Sequence, residues 1–177
     1  MKALDNMRVY VGTYGKYNEG SIAGKWLTLG DYDDKEEFIA ACNELHKDEP
    51  SDCRELMFQD WEGIPSGCIS ECSINENLWG AFDEFDYDEA QAFIAWCDYE
   101  GEEIDGDSAS RFRDEYCGKW GSEEEFAEDI LDNDYPDLPE IARDYFDLDK
   151  WTRDLFYDYF SIECDEGNGP EVWVFRC

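Results

Sequence analysis

Between Trp61 and Ser110 the chain carries 14 Asp or Glu and no Lys or Arg. Any fold for this stretch must hold that many like charges on its surface without a local cation. The rest of the chain does not correct the imbalance, since 47 acids face 14 bases and the formal net charge is -33. Charge of this size ordinarily keeps a chain unfolded. The chain nevertheless contains 7 Trp, 11 Tyr and 11 Phe, residues in which acidic disordered segments are poor. Each aromatic ring removes a large apolar area from water, which offsets chain entropy and carboxylate repulsion. A folded protein of one to three small domains is expected from 177 residues.

Hydrophobic spacing gives the order of the elements. Met7 to Tyr14 and Ile22 to Leu29 read as strands of a hairpin around Asn18, Glu19 and Gly20. Asp31, Asp33 and Asp34 suit a helix N-terminus, and Phe38, Ile39, Ala41, Cys42 and Leu45 then follow helical spacing up to Pro50. Glu55 to Trp61 completes a small sheet. In the middle, Ser73 is read as the cap of a helix carrying Ile74, Leu78, Trp79, Phe82 and Phe85. A second helix carries Ala90, Phe93, Ile94, Trp96 and Cys97 and stops at Gly101. A polar stretch from Asp105 to Ser110 leads to a helical turn or two over Arg111 to Tyr116. Ser122 and Glu125 form a capping-box pattern that opens a helix to Asp134, before Pro136 and Pro139. A helical segment from Glu140 to Phe160, broken near Asp147, precedes a hairpin of Ser161–Cys164 and Glu171–Arg176 around Gly167, Asn168 and Gly169. The fold class is α+β, with an N-terminal sheet and helix over 1–62, an acidic helical part over 63–108 and an α+β part over 109–177. Trp79, Trp96, Trp120 and Trp151 are assigned to packing.

Most site chemistries find no support. His46 is the sole histidine, stands beside no nucleophile motif and reads as a surface residue near a helix C-terminus. Phosphate-binding glycine loops are missing. DYDDKEEF and DEFDYDEAQAF lack the sixth-position glycine and the closing Glu of a calcium loop. Cys68 with Cys72, and Cys42 with His46, have spacings that suggest zinc but no CxxC partner, so the eight cysteines read as buried free thiols. The expectation is no catalytic residue, no metal and no cofactor. No apolar run has signal-peptide or membrane-helix length, which predicts a soluble intracellular protein. Nucleic acid and anionic lipid would be repelled, and a charge-driven partner must be basic.

Charge distribution is the remaining signal. Asp83, Glu84, Asp86, Asp88 and Glu89 form one cluster; Asp98, Glu100, Glu102, Glu103, Asp105 and Asp107 a second; and Glu123, Glu124, Glu125, Glu128, Asp129, Asp132 and Asp134 a third. On the third helix the pairs Glu124/Glu128, Glu125/Asp129 and Glu128/Asp132 each cost about 0.2 to 0.5 kcal/mol in repulsion. Ordinary surfaces intersperse both signs. Duplex DNA carries one charge per about 1.7 Å, so the net charge corresponds to roughly 55 Å of duplex. A compact globule of this length is only about 40 Å across, which argues for an elongated row of small domains.

The segments RVYVGTYGKYNEGSIAGKW, DKEEF, ELHKDE, ELMFQD and VWVFR resemble the ArdA antirestriction family of plasmids and conjugative transposons over nearly the whole chain. The resemblance implies a non-enzymatic bacterial cytoplasmic protein of three domains, dimerising through the C-terminal one and imitating bent B-form DNA. It further implies competitive occupation of the DNA groove of type I restriction-modification enzymes, formed by the methyltransferase core and specificity subunit. The family's acidic antirestriction segment falls at Ser122 to Asp134, and the three carboxylate clusters become the DNA-mimicking residues. An acidic module that sequesters some other basic DNA-binding protein is the alternative reading.

Overall fold

A computed structural model describes residues 2–50, 54–143, 145–164 and 171–177. It is mixed α+β and clusters into two compact units, residues 1–109 and 110–177.

In the first unit, β1 (Arg8–Thr13) is the centre of a three-stranded antiparallel sheet, between β2 (Lys25–Thr28) and β3 (Leu56–Glu62). Alternation explains its placement: Val9 and Val11 are fully buried, while Arg8 and Tyr10 point outward to Trp26. Pairing shifts between Tyr10 and Val11, where β3 carries Gln59 as an extra residue. The β1–β2 connection contains a short helix, α1 (Tyr14–Asn18), where the sequence suggested continued strand and turn. Thr13 causes the change by accepting the Lys16 N–H at 3.2 Å.

Helix α2 (Lys35–Leu45) starts where Asp34 accepts the Glu37 N–H at 2.8 Å. It buries Phe38 and Cys42, one turn apart, and the Phe38 ring meets Phe58 and Trp79 at 6.1 and 5.8 Å. Burying one such ring contributes about 2 to 3 kcal/mol. Ser73 lies in a two-stranded hairpin, β4 (Ile69–Ser70) with β5 (Ser73–Ile74), and does not cap a helix; α3 (Asn77–Phe82) begins four residues later. Helix α4 (Tyr87–Glu100) has a reciprocal cap between Asp86 and Glu89 and ends at Gly101, whose φ of 74° suits a residue without Cβ. Phe82, Phe85, Phe93 and Trp96 form its aromatic core. The N-terminal turn is tied to this region by the Ala3 N–H to the Phe85 carbonyl (2.9 Å), and Trp79 Nε1 donates to the Leu29 carbonyl (3.3 Å).

Helix α5 (Gly106–Glu115) starts earlier than the spacing suggested, because Asp105 accepts the N–H groups of Asp107 and Ser108 at 3.0 and 2.9 Å. Tyr116, expected at the end of that helix, opens β6 (Tyr116–Trp120) instead. In the second unit β8 (Val172–Arg176) lies between β6 and β7 (Tyr159–Glu163), all antiparallel. The turn expected at Gly167 to Gly169 lies outside the described residues. Val172 and Val174 pack on Phe126 of α6 (Glu123–Asp134), while Phe175 stacks on Phe160 at 5.1 Å. The helical segment after Pro139 is divided near Asp147, as expected, into α7 (Glu140–Arg143) and α8 (Leu148–Leu155), the latter capped by Asp147, but it stops at Leu155 and not at Phe160: Tyr159 and Phe160 open β7 because they pair with Arg176 and Phe175 of β8. Trp151 donates from Nε1 to the Ala127 carbonyl at 3.0 Å, fixing α8 to α6.

Candidate functional site

Of the 18 carboxylates in the three clusters, 15 are exposed and Glu89, Asp105 and Glu123 are half-buried. Their positions on the helices separate those the fold requires from those it does not. At helix N-termini the backbone explains the acids. Asp86 and Glu89 cap α4, Asp105 caps α5, and Glu125 accepts the Gly121 N–H at 2.8 Å beside the Ser122 cap of α6. Each such cap contributes about 1 kcal/mol. Glu123 also accepts the Ser161 hydroxyl at 2.7 Å, Asp83 pairs with Lys2 at 3.0 Å, Asp129 accepts from Asn133 at 2.8 Å, and Asp132 pairs with Arg143.

At helix C-termini the same explanation fails. The last turn of α4 holds Asp98 and Glu100, that of α6 holds Asp132 and Asp134, and neither turn contains a basic residue. Negative charge there opposes the exposed carbonyl ends of the helix. Asp88, Asp98, Glu103, Glu124, Glu128 and Asp134 make no side-chain hydrogen bond or ion pair among the described residues. Helix α6 carries seven carboxylates in 12 residues. At a rise of about 1.5 Å per residue, that is one charge per roughly 2.6 Å, between a single DNA strand (about 3.4 Å) and the duplex (about 1.7 Å).

The other candidate chemistries gain no geometry. His46 is a correction to its reading as a surface residue: it is 2% exposed, donates from Nε2 to the Val11 carbonyl (3.1 Å) and accepts the Lys16 ammonium at Nδ1 (3.1 Å). Its two nitrogens are thus committed to holding the end of α2 against β1. Among the described cysteines, Cys42, Cys68, Cys97 and Cys164 are buried free thiols, Cys117 is half-buried, and Cys72 and Cys177 are exposed, which departs from the expectation for those three. Burial pushes the Cys42 and Cys97 thiols up to about 12. Among the described residues no group of three His, Cys, Asp or Glu is placed to hold a metal ion. No described helix is long and apolar enough to cross a membrane. Spacing in the sequence missed two features: the exposed apolar side chains of Tyr135, Ile141 and Tyr145, and the cleft of about 410 Å³ lined by Glu128, Leu131, Asp132, Arg143, Phe146 and Leu148.

Fold and surface together define an acidic α+β protein whose carboxylates crowd the outer faces of short helices, some against the local electrostatics of those helices. The family model of the antirestriction protein ArdA matches residues 9–168 of the 177, and the chain belongs to the ArdA antirestriction family. No curated protein and no solved structure matched the chain.

Proposed function

We propose that this antirestriction protein acts without a chemical step, by presenting its carboxylates in place of DNA phosphates to a type I restriction-modification enzyme. The acids of α4, α5 and α6, with those of the turns before them, pair with Lys and Arg of the DNA groove formed by methyltransferase core and specificity subunit. DNA is then excluded by competition. In this reading the protein works in the bacterial cytoplasm, as a homodimer joined through residues 109–177, and shields an incoming mobile element. Family membership supports the biological role. The single observation that supports the mimicry is the retention of Asp98 and Asp134 in the closing turns of α4 and α6, where negative charge opposes the carbonyl ends of the helices.

The test is competition. The protein is titrated into a type I restriction-modification complex bound to labelled DNA, at low and moderate salt. Stoichiometric displacement that weakens steeply as salt rises is expected, because ions released from the mimic and the groove drive binding. Failure to displace DNA at low salt refutes the reading, and equal binding to an unrelated basic protein would favour a general acidic sequestering module.

A further inference from the structure

Between Asp5 and Asp31 the chain carries Arg8, Lys16 and Lys25 against the single acid Glu19, in a molecule of net charge -33. Imitation of a polyanion has no use for this reversal. The fold accounts for two of the three bases. Arg8 pairs with Glu62 at 2.6 Å and lies over the Trp26 ring at 4.8 Å, while Lys16 holds Asp48 at 3.0 Å and His46 at 3.1 Å. Lys25 is exposed and has no ion-pair or hydrogen-bond partner among the described residues.

Lys25 opens β2, an edge strand of the sheet in the first unit. The Leu29 N–H bonds the Met7 carbonyl at 2.8 Å, and the register continues through Arg8/Thr28, Val9/Leu27, Tyr10/Trp26 and Val11/Lys25. Along an antiparallel pair every second residue turns its backbone groups away from its neighbour. Here those residues are Trp26 and Thr28. Among the described residues no hydrogen bond reaches their outward N–H and C=O groups. The edge is also held in shape. The Tyr10 ring meets Trp26 edge-on at 5.5 Å, and the Tyr10 hydroxyl donates to the Ile22 carbonyl at 3.1 Å, fixing the chain that leads into β2.

An open edge is a template for another strand, and its side chains decide which strand. The acids on the outer face of this sheet, Asp60 and Glu62, lie on β3, beyond β1; Glu62 is taken by Arg8, and Asp60 accepts the Trp61 N–H at 2.9 Å. Residues 20–30 hold no acid at all. Two copies of β2 paired edge to edge would therefore bring two ammonium groups to one short ladder with no carboxylate to meet them. An extended segment that carries its own carboxylate satisfies both the backbone edge and Lys25.

We propose that the open edge of β2 pairs with an extended, carboxylate-bearing segment of the enzyme that the protein inhibits, adding a fourth strand to the sheet. The outward backbone groups of Trp26 and Thr28 bond that strand, and Lys25 bonds its carboxylate. The inference rests on the reading of the protein as an inhibitor of a restriction-modification enzyme. A groove lined with Lys and Arg would repel Lys25, so this contact falls outside the DNA groove. It gives the inhibitor a fixed direction on the enzyme, which a row of like charges alone does not.

Two variants of the full chain, compared with the parent in the DNA-displacement assay at about 50 mM salt, test this. Lys25→Glu separates the contact from phosphate mimicry by sign. It makes the protein more anionic, so mimicry alone predicts an unchanged or lower inhibition constant, whereas loss of the contact should raise it at least about fivefold. Thr28→Pro removes one outward N–H and leaves the β1 pairing intact; Thr28 has a φ of -92°, close to the range of proline. It should also raise the constant about fivefold, while Thr28→Val, which keeps the N–H, stays within about twofold of the parent. The proposal is overturned by either Lys25→Glu or Thr28→Pro lying within about twofold of the parent, or by Lys25→Glu binding more tightly. It is equally overturned if Thr28→Val loses as much as Thr28→Pro, because the side chain would then be the contact, or if either variant dissociates a parent oligomer in sedimentation, which would make a second copy the occupant. Should Thr28→Pro melt lower than the parent, Lys25→Glu decides alone, since its side chain is exposed and unpaired. A parent that fails to displace DNA sinks the inhibitor reading and this edge with it; an active parent with unaffected variants sinks the edge alone.

Discussion

Neutralising Asp88, Asp98, Glu103, Glu124, Glu128 and Asp134 together, as the Asn and Gln variants, isolates charge from structure. None of the six side chains makes a hydrogen bond or ion pair among the described residues. The effect on folding follows from their places in the helices. Asp88 and Glu124 lie in first turns, where losing each negative charge costs about 0.5 kcal/mol. Asp98 and Asp134 lie in last turns, where removal returns about the same amount. Relief of the Glu124/Glu128 and Glu128/Asp132 repulsions adds about 0.4 to 1 kcal/mol, so net stability should change by no more than about 1 kcal/mol. Binding should change far more. If each exposed acid contributes about 0.5 kcal/mol to pairing with a cation, six contribute about 3 kcal/mol, or roughly 150-fold in the inhibition constant. The slope of log Ki against log salt should flatten by up to about 5, since each neutralised contact releases about 0.9 ion. DNA displacement at four or five salt concentrations, with urea unfolding of the same samples, measures all of these. An unchanged slope in a folded sextuple variant would refute the proposed phosphate mimicry. So would any one of the six single variants reproducing the whole loss, because the charge would then act through one contact.

Three further outcomes follow from the fold itself. His46→Ala removes a buried ring and both of its hydrogen bonds and should lower the urea stability by about 3 kcal/mol; a loss under about 1 kcal/mol would mean that α2 does not depend on this residue. Gly63→Ala places a Cβ against the Asn6 carbonyl oxygen at a φ of 72°, and thermal unfolding should show about 2 kcal/mol of destabilisation, a neutral result being incompatible with that turn. With burial holding the Cys42 and Cys97 thiols up to about 12, both stay protonated at pH 8, so native-state alkylation followed by mass spectrometry should modify exposed Cys72 and Cys177 before Cys42 and Cys97, and early labelling of Cys42 would contradict its burial.

Local signals in the sequence were reliable where the element depends on its own residues. The alternation Val9–Val11 gives β1, Asp34 and the spacing of Phe38 and Cys42 give α2, and Ser122 gives α6. They failed where a distant partner decides. Tyr116–Trp120 is short and interrupted by Gly118 at a φ of 104°, and it is a strand because β8 pairs with it around a register shift. Ser73, next to a helical pattern, is drawn into a hairpin with Ser70, whose hydroxyl lies 2.8 Å from its own. His46 looks like a surface residue in sequence because nothing nearby in the chain announces that Val11 and Lys16 enclose it. The acidic clusters were legible as clusters, but the distinction between capping acids and acids that oppose their helices needed the ends of α4 and α6. The exposure of Tyr135, Ile141 and Tyr145 was hidden because hydrophobic spacing marks what a helix can bury and is silent on what it leaves uncovered.

The acids at the closing turns of α4 and α6 have a consequence for how the protein behaves in different solutions. Mobile cations that gather around them relieve strain in the free molecule, so added salt should tighten its folded state. In the proposed complex the same ions would compete with the basic partner for those positions. On that proposal, stability and affinity would respond to ionic strength with opposite signs. A cationic partner of the kind proposed would supply the counterions that the sequence between Trp61 and Ser110 omits.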